Sequence, residues 1–264
     1  MKKTPETNDP LMARARALKL HGLLAHWDEI KGSDWILPLI QWEEEERARR
    51  GLERRMTNAH LGRFKPLADF DWSWPTQCDR DAVEEMMRID FIEDATNIIL
   101  VGPNGVGKTT IARNIAHQAV LQGHTVLFTS AGQMLNELAS QDGDIALKRR
   151  LAHYARPHLL AIDEVGYLSY SNRHADLLFE IISRRYEEKS TLVTTNRPFT
   201  EWGEVFPNAA CVVSLVDRLI HRSEIVSIEA ESYRLKEAKE NQEKRAESRK
   251  KPPKNTPGKK GRTP

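Results

Sequence analysis

The residues most able to do chemistry are Gly102, Pro103, Asn104, Gly105, Val106, Gly107, Lys108 and Thr109, a Gly-x4-Gly-Lys-Thr series followed by Thr110. Glycines at these positions allow positive φ angles and let backbone N–H groups approach a phosphate closely. A helix starting near Lys108 adds its own free N–H groups and the positive end of its dipole. Lys108 is placed to reach the β- and γ-phosphates as a point charge. The Thr109 hydroxyl is placed to ligate a Mg²⁺ that bridges them, and Thr110 to cap the loop or meet the α-phosphate. The predicted ligand is a nucleoside triphosphate with its magnesium.

A second set of polar residues lies further along the chain. His158 to Ile162 is an apolar run that ends in Asp163 and Glu164. At the C-terminal edge of an open α/β sheet these carboxylates would face the ligand crevice. Asp163 would hold the Mg²⁺ through a water, and Glu164 would polarise the water that attacks the phosphoryl group. A third run, Thr191 to Thr195, ends at Asn196, whose amide could meet the attacking water or the γ-phosphate. Taken alone, an Asn before Arg197-Pro198 is equally a turn residue.

These groups need a scaffold. Asn97 to Val101 has the composition of a buried strand, and Ile111, Ala112, Ile115, Ala116 and Ala119 give the following segment one apolar helical face. Further strands are expected over 125–129, 158–162, 191–195 and 224–228, with a helix over 175–187. This alternation implies right-handed crossovers and a parallel sheet covered on both faces. The Asn196 strand is expected between the loop strand and the carboxylate strand. Upstream, a first helix is expected from about Pro10 to Lys31 and a second from Ser33 or Asp34 into Glu43-Glu44-Glu45-Glu46-Arg47-Ala48-Arg49-Arg50. The pairs Glu43 with Arg47, Glu45 with Arg49 and Glu46 with Arg50 have i, i+4 spacing and describe a solvated face. Residues 54–77, basic and then aromatic and Pro-rich, read as a connector, with a domain boundary near residue 70.

The chain has 264 residues, 39% hydrophobic and 30% charged, and its net charge of +2 is unevenly distributed. From Ser248 onward there are seven basic residues, no acidic one and four prolines, so the rest of the chain is net negative. That composition predicts a disordered basic tail, serving either as a solubilising end or as a loose grip on a nucleic-acid backbone. No apolar run approaches membrane-spanning length and the N-terminus lacks a secretory core, so a cytoplasmic location is expected. Cys78 and Cys211 have no metal-ligand spacing.

The motifs Asp163 to Leu168, Leu178-Phe179-Glu180, Arg185-Tyr186-Glu187, Thr194 to Phe199 with Glu201-Trp202, Asp217-Arg218-Leu219-Ile220-His221 and Ser232-Tyr233-Arg234 closely resemble those of IstB. IstB proteins are helper ATPases encoded beside the transposase of certain insertion sequences, and relatives of the DnaC helicase loaders in the AAA+ initiator clade. The resemblance spans 11–236. It implies an AAA+ P-loop NTPase with a parallel five-stranded sheet between helices (71–236), preceded by a small all-helical N-terminal domain (1–70) that binds DNA or partners. The disordered basic tail (237–264) would follow. It implies ATP hydrolysis with Mg²⁺, and assembly as a homo-oligomer on double-stranded DNA, largely without sequence preference. It also implies bending of that DNA and recruitment and stimulation of an IstA-type DDE transposase. Arg218 would be an arginine finger acting in trans. Arg222 competes for that role, Arg234 could be a second nucleotide sensor, and within one chain Arg218 could instead pair with Asp217. Ala230 stands where the family often has Gly, and Ala161 replaces a bulkier aliphatic. Lys148-Arg149-Arg150, the N-terminal arginines and the tail are candidate DNA contacts. A helicase loader is the related alternative; a small-molecule kinase would leave Asn196 and the basic tail without a role.

Overall fold

The computed structural model describes residues 9–167, 170–207 and 209–250. Five strands, β1 (Asn97–Val101), β2 (Val126–Ser130), β3 (Leu159–Val165), β4 (Ser190–Thr195) and β5 (Ser223–Ser227), form one sheet in the order β2-β3-β4-β1-β5. Every pairing is parallel. β4 therefore separates the loop strand β1 from the carboxylate strand β3, as expected.

Two-residue alternation sends neighbouring side chains to opposite faces. Ile98, Leu100, Leu159, Ala161 and Leu192 pack on one side with the apolar stripe of α6 (Lys108–Leu121). Ile99, Leu160, Ile162 and Val193 pack on the other, against α7 (Ala131–Ala139), α9 (Asn172–Arg185) and α11 (Ala209–Ile220). Burial on both faces explains why β1 and the start of β3 read as unbroken apolar runs, whereas β5 at the sheet edge is largely exposed. Where α9 ends, the buried Arg185 donates to the carbonyls of Ala155 (3.0 Å), Pro157 (2.9 Å) and Ser190 (2.5 Å), tying the end of α8 (Asp144–Ala155) to the start of β4.

The N-terminal region departs from expectation. The predicted helix from Pro10 to Lys31 is three short helices, α1 (Pro10–Ala17), α2 (His21–Ala25) and α3 (Trp27–Ile30). Lys19 at φ 55° turns the chain after α1. The bends bring Ala15, Leu18 and Trp27 together onto Ile36 and Ile40, burial that one straight helix could not achieve. Trp27 Nε1 donates to Asp9 at 3.0 Å, and Arg14 grips Glu44 through two nitrogens at 2.9 and 2.6 Å.

The long helix α4 (Ile36–Ala59) continues nine residues past Arg50, so the expected connector starts as helix. Its last turns place Leu52 and Ala59 in the core shared with α6. Pairs Glu43–Arg47 and Glu46–Arg50 form as predicted at 3.1 and 2.6 Å. Arg49 does not take Glu45; it binds Glu46 and Glu53 at 2.7 and 2.5 Å. At the other end, α12 (Tyr233–Lys250) crosses the 236/237 boundary drawn from sequence. Residues 251–264, with most of the basic tail, lie outside the described residues.

Candidate functional site: the nucleotide pocket

The loop between β1 and α6 wraps around the Lys108 side chain, whose ammonium donates to the carbonyls of Gly102 (2.6 Å) and Pro103 (2.7 Å). Burial pushes the Lys108 pKa down; Asp163 and Glu164 oppose that shift and Arg234 adds to it. The charge is thus held in a partly desolvated place where an anion would be strongly attracted. Glycine is required here by contact as well as by conformation. Gly102 lies against the Ile228 carbonyl, and a Cβ on Gly107 (φ 106°) would meet Phe70 at 2.5 Å.

Asp163 sits at the end of β3, buried, and accepts from Thr109 Oγ1 at 3.0 and 3.1 Å and from Thr194 Oγ1 at 2.5 Å. Sequence spacing placed Thr109 and Asp163 together; the Thr194 contact comes only from β4 lying beside β3. Thr194 also accepts from the Glu164 N–H at 2.9 Å. The β3–β4 register shifts between Ile162 and Val165, and within that irregularity Glu164 takes φ 61°. A bulge re-aims a side chain, and a non-glycine residue at positive φ is uncommon. Here it turns Glu164 out of the sheet alternation to line the pocket.

The cavity, about 300 Å³, is lined by Asn104 to Thr110 along the loop and by Glu164, Thr194 and Asn196 at the strand ends. Gly102 and Pro103 stand behind it as acceptors for Lys108. Asn196 Oδ1 is buried without a hydrogen-bond partner, a costly state that a bound donor would relieve.

The opposite end is built by residues that sequence reading assigned to a connector: Phe64, Lys65, Phe70 and Trp74, together with Tyr233 and Arg234 of α12. Tyr233 N–H donates to the Gly105 carbonyl at 3.0 Å and Trp74 Nε1 to the Glu231 carbonyl at 2.8 Å. Ion pairs Lys65–Glu237 (2.5 Å) and Lys236–Asp71 (3.2 Å) join α12 to the connector. Aromatic and basic residues just before the loop strand were the available signal.

A match to the family model described as IstB-like ATP binding protein extends over residues 11–241. The chain belongs to that family. Among its relatives, the ATP-binding protein of insertion sequence IS21 from Pseudomonas aeruginosa is 36% identical over 209 residues, covering 79% of each chain. The ATP-binding protein of insertion sequence IS5376 from Geobacillus stearothermophilus is 33% identical over 215 residues, covering 81% of this chain and 86% of the relative. Among solved structures, DnaI superposes with a TM-score of 0.54 at 18% identity, covering 65% of this chain and 91% of that one. The replication initiator DnaA bound to AMPPCP and single-stranded DNA gives 0.52 at 21%, covering 68% and 54%. These likenesses show the fold, that of the AAA+ proteins.

Of the IstB motifs, Glu164, Thr194, Asn196, Tyr233 and Arg234 meet in this pocket, while Leu178, Arg185, Trp202 and Leu219 are buried away from it. Arg234 lines the cavity and its charge acts on Lys108. Arg218 lines neither this cavity nor the adjoining polar cleft of about 720 Å³, which runs from Asp163 and Glu164 past Ser130 to Arg150 and His153. Nor does Arg218 pair with Asp217: its guanidinium lies 4.6 Å from the centre of the Phe179 ring. Arg222 is exposed at the entry to β5, its carbonyl accepting from Asn97. Arg150 binds Glu137 and covers Tyr154 at 5.6 Å, so of the three basic residues on α8 only Lys148 and Arg149 are exposed.

Proposed function

We propose that this protein is an ATPase that oligomerises on double-stranded DNA, bends it, and recruits and stimulates an IstA-type DDE transposase. The observation that carries the hydrolytic part is that Lys108, Thr109 and the re-aimed Glu164 line one cavity, with Asp163 hydrogen-bonded to Thr109. Lys108 would exchange its two carbonyl acceptors for phosphate oxygens. Glu164 would take the proton of the attacking water, while Asn196 Oδ1 accepts that water's second hydrogen. Thr109 and Asp163 present three oxygens within hydrogen-bond reach of one another, a hard donor set that suits Mg²⁺. Bound there, the ion would neutralise charge on the transferred phosphoryl group.

Supporting the assembly is Arg218, which its own pocket does not use and which would complete a neighbour's, in trans. Val213 and Ile220 are exposed on another face of the same helix, α11. Lys148, Arg149 and the tail would meet DNA phosphates with little sequence preference. In this reading residues 1–70 serve as the helical DNA- or partner-binding region, 71–236 as the ATPase and 237–264 as the basic extension, in the cytoplasm.

The test is Glu164→Gln. ATP binding should persist while turnover drops on the order of 100-fold or more, and oligomers should accumulate on duplex DNA. Unchanged turnover would remove Glu164 from the reaction.

A further inference from the structure

One segment, the C-terminal half of α9 with Tyr186 just beyond it, packs around Arg218 of α11. Its guanidinium lies 4.6 Å from the Phe179 ring centre and 5.9 Å from that of Tyr186, and Nη1 donates to Ser183 Oγ. Ser183 is itself fixed, its hydroxyl donating to the Phe179 carbonyl at 2.6 Å. The Tyr186 hydroxyl lies 3.0 Å from His221 Nδ1. Glu180 binds Arg184 at 2.8 Å and Glu187 faces His221 at 3.7 Å, while Asp217, next in the chain, is exposed and forms no salt bridge with Arg218. Among the described residues no salt bridge involves Arg218.

We propose that Phe179, Ser183 and Tyr186 are positioning residues, holding the Arg218 guanidinium in a fixed plane without a counter-charge for delivery to the nucleotide pocket of a second copy of this chain. The inference rests on the in-trans reading above and adds the device that makes it work. A guanidinium stacked on ring faces keeps its in-plane N–H donors directed outward, where planar phosphate recognition needs them. An ion-paired arginine would first have to release a carboxylate. A free one would have to lose side-chain freedom on arrival. Stacking avoids both.

The experiment measures DNA-stimulated ATP turnover of the full-length oligomer carrying Phe179→Leu, Phe179→Tyr, Tyr186→Leu or Arg218→Ala. Thermal melting and chromatographic size confirm that each variant folds and assembles. Phe179→Leu and Tyr186→Leu should lower kcat about tenfold with KM for ATP within about twofold, because only the transition state uses the finger. Phe179→Tyr, which keeps the ring, should remain near wild type. Subunits combining Phe179→Leu with Lys108→Ala, mixed into wild type, should lower turnover further than Lys108→Ala subunits do, locating the defect in the neighbour's site. If Phe179→Leu and Tyr186→Leu work normally while Arg218→Ala is inactive, the positioning role is refuted and the finger survives. A raised KM with unchanged kcat, or a Phe179→Tyr as impaired as Phe179→Leu, refutes it equally. An active Arg218→Ala instead overturns the in-trans reading itself.

Discussion

The two ends of the nucleotide pocket are built differently. At the phosphate end, Asp163 and Thr194 are buried at strand termini, and each hydrogen bond is backed by a central strand. At the other end, an irregular connector and the first turns of α12 are joined by half-exposed rings and solvated ion pairs. Buried networks are rigid and costly to break, whereas exposed pairs contribute little and are screened by salt. The phosphate end is thus suited to fixed chemistry. The connector end is held to α12 by contacts that cost less to break.

Three single substitutions and one double charge reversal would break or sharpen that contrast. The largest effect is expected from Gly102→Ala, whose Cβ would collide with the Ile228 carbonyl, itself fixed by the Ile228 N–H bond to Val101 at 2.8 Å. Strain of about 2–3 kcal/mol should weaken nucleotide binding on the order of 100-fold by calorimetry. Next comes Thr194→Val, which removes one of the two hydroxyls that Asp163 accepts from and leaves the Glu164 N–H unsatisfied. Denaturant unfolding should show a loss of about 1–3 kcal/mol, and turnover should fall more than nucleotide affinity. Retained turnover would show that Glu164 does not need that anchor.

At the connector end, Trp74→Ala removes the Glu231 hydrogen bond and the ring beside Lys236 at 4.3 Å. Nucleotide affinity should weaken several-fold, about 1 kcal/mol, with kcat for bound ATP nearly unchanged. A large kcat defect would mean that the connector takes part in the chemistry. Smallest of all, reversing the charges of Lys65 and Glu237 together should alter nucleotide affinity by less than about twofold, and the change should vanish at high salt. Equilibrium binding at two ionic strengths checks it.

Legibility in the sequence follows the same divide. The loop glycines, Lys108, Thr109, Asp163 and Glu164 were readable because each sits at a fixed offset from an apolar strand, and two-sided burial makes such strands conspicuous. The place of β4 between β1 and β3 was expected only from likeness to the branch of phosphate-loop proteins with an additional strand between those two, since no spacing along the chain dictates the order β2-β3-β4-β1-β5. Thr194 was not readable: its role depends on lateral register with Asp163, which no spacing along the chain encodes. Phe70 and Trp74 read as part of an aromatic connector but not as pocket walls, and Phe64 gave no signal, because irregular backbone carries no periodicity. The three-helix break before Ile36 was missed because Leu18, Leu23, Leu24 and Trp27 satisfy helical spacing locally. Tertiary burial of Trp27 overrode it.

The amino-acid order alone determined that a phosphate-binding loop, a carboxylate strand and a polar strand tip exist in this chain, since glycine conformation and apolar periodicity are local properties. Only the tertiary structure decided which way Glu164 points, that Arg234 enters the pocket, and that Arg218 lies on aromatic rings outside it. Those outcomes depend on a register shift between two strands and on the packing of α11 against α9. Such contacts join residues whose separation along the chain says nothing about their separation in space.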